Sequence, residues 1–105
     1  MKRDEMSFIP KLKEFLSKNK RIFTVRKYIM KETDVYINEL GYYHRKPLGI
    51  VSYVSLGKYV SESGFKSLED WLTMIRQFIR DDSNWYLYEV SLIRNTKGTL
   101  YRNEI

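Results

Sequence analysis

The strongest periodic signal in the chain is the run Leu68, Trp71, Leu72, Ile75, Phe78 and Ile79, whose spacing follows one face of a helix. Ser67 is placed to cap that helix, with Asp70 three residues on, and the whole stripe, Phe78 included, is expected to pack into the core. A second stripe, Phe8, Leu12, Phe15 and Leu16, predicts an earlier helix with Ser7 as its N-cap and Pro10 in its first turn. Lys11, Lys13, Lys18 and Lys20 lie off its apolar face or at its exit. Between Ile22 and about Met30 the pattern changes to period two. Phe23 and Val25 point one way and Thr24, Arg26 and Tyr28 the other, which predicts a half-buried strand. A polar turn, Lys31 to Asp34, leads to a second strand, Val35 to Glu39. Gly41 is then expected to break the chain before an aromatic and basic loop, Tyr42 to Pro47, and a strand from Leu48 to about Leu56. After Asp81–Asn84 stops the second helix, Trp85 to Ile93 predicts the final long strand. A Lys97–Gly98 turn and a short strand, Thr99 to Tyr101, are expected beyond it, and residues 1–7 are expected to be a frayed, peripheral start.

Helix, several strands joined by short turns, helix and strand make an α+β domain of mixed or antiparallel sheet. A small β-barrel of about five strands flanked by two main helices suits that order. The 105 residues fit one domain, with 1–7 and 95–105 peripheral. A content of 43% hydrophobic and 15% aromatic residues marks a folded chain and excludes a disordered one.

Composition narrows the chemistry. There is no cysteine, so disulfides, thiolate nucleophiles and cysteine zinc sites are excluded, and the single His44 excludes a multi-histidine metal site. No metal or other cofactor is expected, and neither a glycine-rich phosphate loop nor a Gly-x-Ser-x-Gly elbow is present. No apolar run approaches membrane-spanning length, and the start leads into no signal-peptide core, so a cytoplasmic, membrane-independent monomer is expected. The net charge is +6, and all of the excess lies in residues 1–50, where 12 Lys+Arg face 6 Asp+Glu. From Lys11 to Lys31 the only acid is Glu14. Such asymmetry points to a polyanionic partner, of which nucleic acid is the commonest.

At the centre of the basic segment stands Asn19-x-Arg21-x-x-Thr24-x-Arg26. It resembles the Gly-x-Lys-x-x-Thr/Glu-x-Arg motif of ASCH domains, members of the PUA-like superfamily, and looks most like the small stand-alone archaeal members. The Leu48–Gly49 strand start, the segment Glu62-Ser63-Gly64-Phe65, the helix from Ser67 with Trp71 and the aromatic strand from Trp85 follow in the family's order. The resemblance spans about residues 8–94. It implies a PUA-like barrel with a cleft between barrel and helices, and binding of RNA or a modified nucleoside. Some bacterial relatives hydrolyse N4-acetylcytidine with the motif Lys and Thr and a Glu before the second helix, and ribonuclease activity is also associated with the family. Carried over, those positions fall on Arg21, Thr24 and Ser63, with Glu62 one place away. An arginine in place of the lysine stays protonated and cannot activate a nucleophile as a lysine of lowered pKa can.

The leading expectation is therefore an RNA-binding or single-stranded nucleic-acid-binding module with a basic cleft beside the first strand. Lys20, Arg21, Thr24, Arg26, Lys27, Arg45 and Lys46 would hold the strand, and Tyr43 or Tyr42 would stack on an unpaired base. The alternative is a small hydrolase of a modified nucleoside, or a ribonuclease, with Glu62 as acid or base, Thr24 as nucleophile or water-orienting hydroxyl and Arg21 as oxyanion stabiliser. A third reading is a protein-interaction module presenting the tyrosine-rich final strand at a sheet edge.

Overall fold

A computed structural model of the chain describes residues 3–93; the expected turn at Lys97–Gly98 and strand at Thr99–Tyr101 lie outside the described residues. Five strands form one curled, half-barrel sheet in the order β1-β3-β4-β5-β2. They are β1 (Glu5–Met6), β2 (Arg21–Arg26), β3 (Thr33–Ile37), β4 (Gly41–Ile50) and β5 (Tyr86–Leu92). Only β1 and β3 run parallel; the other neighbours are antiparallel. Two main helices, α1 (Pro10–Asn19) and α3 (Leu68–Phe78), flank the sheet, and a short α2 (Tyr53–Leu56) continues into a 3-10 helix over Gly57–Glu62. This is the five-stranded α+β fold with two main helices expected from the pattern, its barrel-like sheet a half-barrel and several boundaries redrawn.

Helix α1 begins at Pro10, whose missing N–H falls where no intrahelical partner exists. Ile9, not Ser7, occupies the N-cap, and no side chain caps the helix there. The helix ends on Lys20 in the left-handed conformation (φ 68°), which turns the chain directly into β2. Leu12 and Leu16 enter the core. The start of the chain is not frayed at Glu5–Met6: those residues pair with Tyr36 and Ile37, and Met6 is buried.

Strand alternation sorts the sheet into two faces. Ile22, Thr24, Tyr43, Arg45, Val35, Ile37, Tyr88 and Val90 share the inner face, and all are buried. The outer face differs along its length. Phe23, Val25 and Leu87 are covered, and Phe23 packs on Tyr59 of the 3-10 helix with ring centroids 4.8 Å apart. His44, Lys46 and Asp34 stand clear of that cover. Strand β2 is consequently buried on both faces, where alternation alone predicts one.

The stretch from Tyr42 to Pro47 is strand, not loop, because each residue pairs with β3, β5 or both. The strand expected from Leu48 to Leu56 ends instead at Ile50. Register slips between Pro47 and Gly49, Gly49 adopts φ 106°, and Ser52 caps the short α2. Helix α3 starts as its pattern predicts, with Ser67 Oγ accepting from the Asp70 N–H at 3.1 Å. Trp71, Leu72, Ile75 and Ile79 are buried, but Phe78 is 65% exposed. Strand β5 is interior, between β4 and β2, so the expected tyrosine-rich edge does not exist.

Gly64 joins the helical layer to α1. Its φ of 88° suits glycine, and a β-carbon there would meet Leu12 Cδ2 at 2.6 Å. Gly64→Ala is expected to lower unfolding free energy by about 1–3 kcal/mol in chemical denaturation, through backbone strain and overpacking against α1.

Candidate functional site

A cavity of about 550 Å³ opens where the end of β2 meets the start of α1 and the flank of α3. Its size is that of an ordinary ligand site. Phe8, Phe65, Trp71 and Phe78 supply aromatic wall, and Thr24, Arg26 and Lys27 bring polar groups from β2 and the residue after it. The helical stripe explains the wall. Trp71 and Ile75 are buried, Met74 packs partly against the core and Phe78, on the same line as Met74, is exposed, and all four line the cavity.

Arg26 is held in place by neutral groups. Its Nε donates to Thr24 Oγ (3.2 Å), its Nη2 donates to the Ser7 carbonyl (3.0 Å), and its guanidinium lies 4.8 Å from the Phe8 ring centroid. Burial first, and the neighbouring Arg45 charge second, bring its pKa down to about 10, so it remains a cation at neutral pH. Lys27 and Lys11 are exposed and flank this region; Lys11 Nζ sits 4.6 Å over the Phe65 ring.

The far wall is the segment after β2. The chain leaves β2 at one edge of the sheet and must reach β3, two strands beyond β5, so residues 27–32 pass over the interior of the half-barrel. Tyr88 on β5 donates its hydroxyl to the Tyr28 carbonyl (2.8 Å) and accepts from the Met30 N–H (2.6 Å). Arg45 on β4, only 4% exposed, donates to the Lys31 carbonyl at 3.1 Å and reaches Asp4 at 3.8 Å. Two buried polar side chains thus pin the crossing segment.

Thr24, Arg26 and Lys27 come together at the cavity; the remaining candidates do not join them. Arg21 lies on the opposite face of β2, where Glu62 and Glu89 both accept from its guanidinium, the latter at 3.0 Å. The Glu62 hydrogen bond, ahead of the other influences, raises the Arg21 pKa further above its ordinary value. Arg21 with two carboxylates carries a local net negative charge, which does not favour phosphate. The hydrolase trio is likewise divided: Thr24 is 7% exposed and turned to the cavity side, whereas Glu62 is tied to Arg21. Ser63, the position carried over from the family's glutamate, is buried, its hydroxyl donating to the Val60 carbonyl and accepting from the Phe65 N–H. Tyr43 is 2% exposed with its phenol pKa raised by burial, so it cannot stack on a base; Tyr42 is exposed but packs edge-on against Tyr36. Lys20 and Lys46 are exposed away from the cavity, at the end of α1 and on the outer face of β4.

Pattern reading missed the cavity's aromatic wall. The available signal was the second helical line, Met74 and Phe78, beside the core line. Among the described residues no helix is long and apolar enough to cross a membrane. Comparisons with protein-family models, curated proteins and solved structures find no match to this chain.

Two outcomes are expected. Tyr88→Phe leaves Tyr28 and Met30 backbone groups unpaired and should cost about 1–3 kcal/mol in denaturant unfolding. His44 meets Asp34 Oδ1 and Glu32 Oε2, each at 2.8 Å, and these carboxylates, Glu32 first, raise its pKa. A raised folded-state pKa adds stability fully present below about 6.5 and lost as pH rises through the folded value. Urea titrations across that window should show the slope in wild type and not in His44→Gln.

Proposed function

We propose that this protein binds single-stranded RNA, taking one base into the cavity beside β2 while rim lysines contact the phosphates. The observation that carries this reading is the cavity itself: a guanidinium and the exposed ring of Phe78 at one recess backed by buried aromatic residues, with Lys11 and Lys27 beside it. Aromatic faces stack on any base, and cationic side chains follow the backbone. The charge excess of the first half of the chain acts in the same direction, raising the local concentration of a polyanion. The resemblance to ASCH domains supports the reading by analogy, because it implies a cleft between a barrel and its helices that receives RNA or a nucleoside. The cleft assigned here uses Thr24, Arg26 and Lys27 of the motif region and leaves Arg21 to its carboxylates.

Binding of fluorescent single-stranded oligoribonucleotides over a range of salt tests the assignment. Arg26→Ala and Phe78→Ala should each weaken binding roughly tenfold, by removing a charged contact and a stacking surface. Lys27→Gln should reduce the log–log salt slope by about 0.7. Arg21→Gln should leave affinity within the scatter of the measurement. A folded Arg26→Ala protein that binds like wild type would refute the site. Incubation with N4-acetylcytidine in parallel should show no turnover.

A further inference from the structure

Charge around the cavity is unbalanced. Arg26 uses its Nε and Nη2 on two neutral oxygens, and among the described residues no carboxylate pairs with it. Arg45 is near enough for its charge to act on Arg26, and its own carboxylate, Asp4, is 3.8 Å away and partly in solvent. Two guanidinium groups therefore share the inner side of the sheet with little anionic compensation. Arg26 is half-buried and has no counter-ion among the described residues, and a cation partly withdrawn from water in this way favours an entering anion. Hydrogen bonding leaves Arg26 with further N–H groups to offer, and Thr24 Oγ, which accepts from Nε, retains its own proton to donate.

The remainder of the wall is apolar and aromatic, so the occupant that satisfies both parts is a planar ring system with an anionic group attached. Within a nucleic-acid strand that description fits an end better than an interior position. A phosphate monoester carries a charge of about −1.5 to −2 and three acceptor oxygens, more than the diester within a strand.

We infer that the cavity receives the phosphorylated end of an RNA strand, with the terminal phosphate on Arg26 and Thr24 and the terminal base against the exposed ring of Phe78. This rests on the nucleic-acid reading above, and makes Arg26 the residue that distinguishes one strand end from another. Lys27 and Lys11 then take the phosphates that follow.

The test compares one short single-stranded oligoribonucleotide in three forms: 5′-phosphate, 3′-phosphate, and hydroxyl at both ends. A nucleoside 5′-monophosphate and its nucleoside are titrated beside them by calorimetry with the full-length protein. One phosphorylated form should bind roughly tenfold more tightly than the hydroxyl form, the worth of a charge-assisted contact. Arg26→Gln and, independently, Thr24→Val should shrink that ratio. Equal affinity for all three forms on wild-type protein overturns the inference and leaves strand binding intact. Failure of every oligonucleotide to bind overturns strand binding as well. Tight binding of the monophosphate but not of the nucleoside or any oligonucleotide supports the phosphate site and refutes the strand.

Discussion

The structure depends on how the chain crosses from β2 to β3. These strands are consecutive in sequence but separated by β5 and β4, so the connection must run over the inside of the half-barrel. The residues of that segment are largely exposed, but the backbone groups it turns toward the sheet are partly buried and need partners. Tyr88 supplies a hydroxyl that donates and accepts at once, and Arg45 supplies N–H groups to the next carbonyl. Both side chains are buried in this role, which is why Arg45, read from the sequence as a phosphate contact, is engaged with backbone instead. The crossing segment, once fixed, becomes one wall of the cavity.

Burial of β2 follows from the same topology. As the last strand in the sheet it would expose an unpaired edge, a liability that native folds cover. Here α1 and the 3-10 helix both contact β2, Tyr59 covering Phe23, and α3 lines the cavity beside it. The two faces of the strand are thereby given different chemistry. One turns Arg21 into an ion-paired group among carboxylates, and the other leaves Arg26 facing neutral oxygens and aromatic rings. A single sequence motif is divided by strand alternation into a structural cation and a cation open to a ligand.

That division separates the binding and hydrolytic readings. Hydrolysis by Thr24 and Glu62 needs both near one reacting carbon, and the fold keeps Glu62 beside Arg21 and Thr24 beside Arg26. Binding needs only a recess, a stacking surface and positive charge, which Arg26, Phe78 and the rim lysines provide together.

Local pattern by itself determined the two main helices and three of the five strands, β2, β3 and β5, to within a few residues. The Ser67 cap and the Leu68–Ile79 stripe, the β-rich Trp85–Ile93 run and the αβ order all act over a few residues, and the fold retains them. So do the charge excess of the first half and the absence of cysteine chemistry, which are properties of composition. Other features were decided only by tertiary structure, because they depend on which strand lies beside which. Tyr42–Pro47 reads as a loop until β3 and β5 pair with it, and Val51–Leu56 reads as strand although pairing ends at Ile50, just past the register slip between Pro47 and Gly49. Phe78 matches the core spacing of its helix, yet the layer it would enter stops short of it and leaves the cavity. Arg21, Arg26 and Arg45 are indistinguishable as basic residues in the sequence. Their neighbours from distant segments make one an ion pair, one a backbone tether and one an uncompensated charge at the cavity wall.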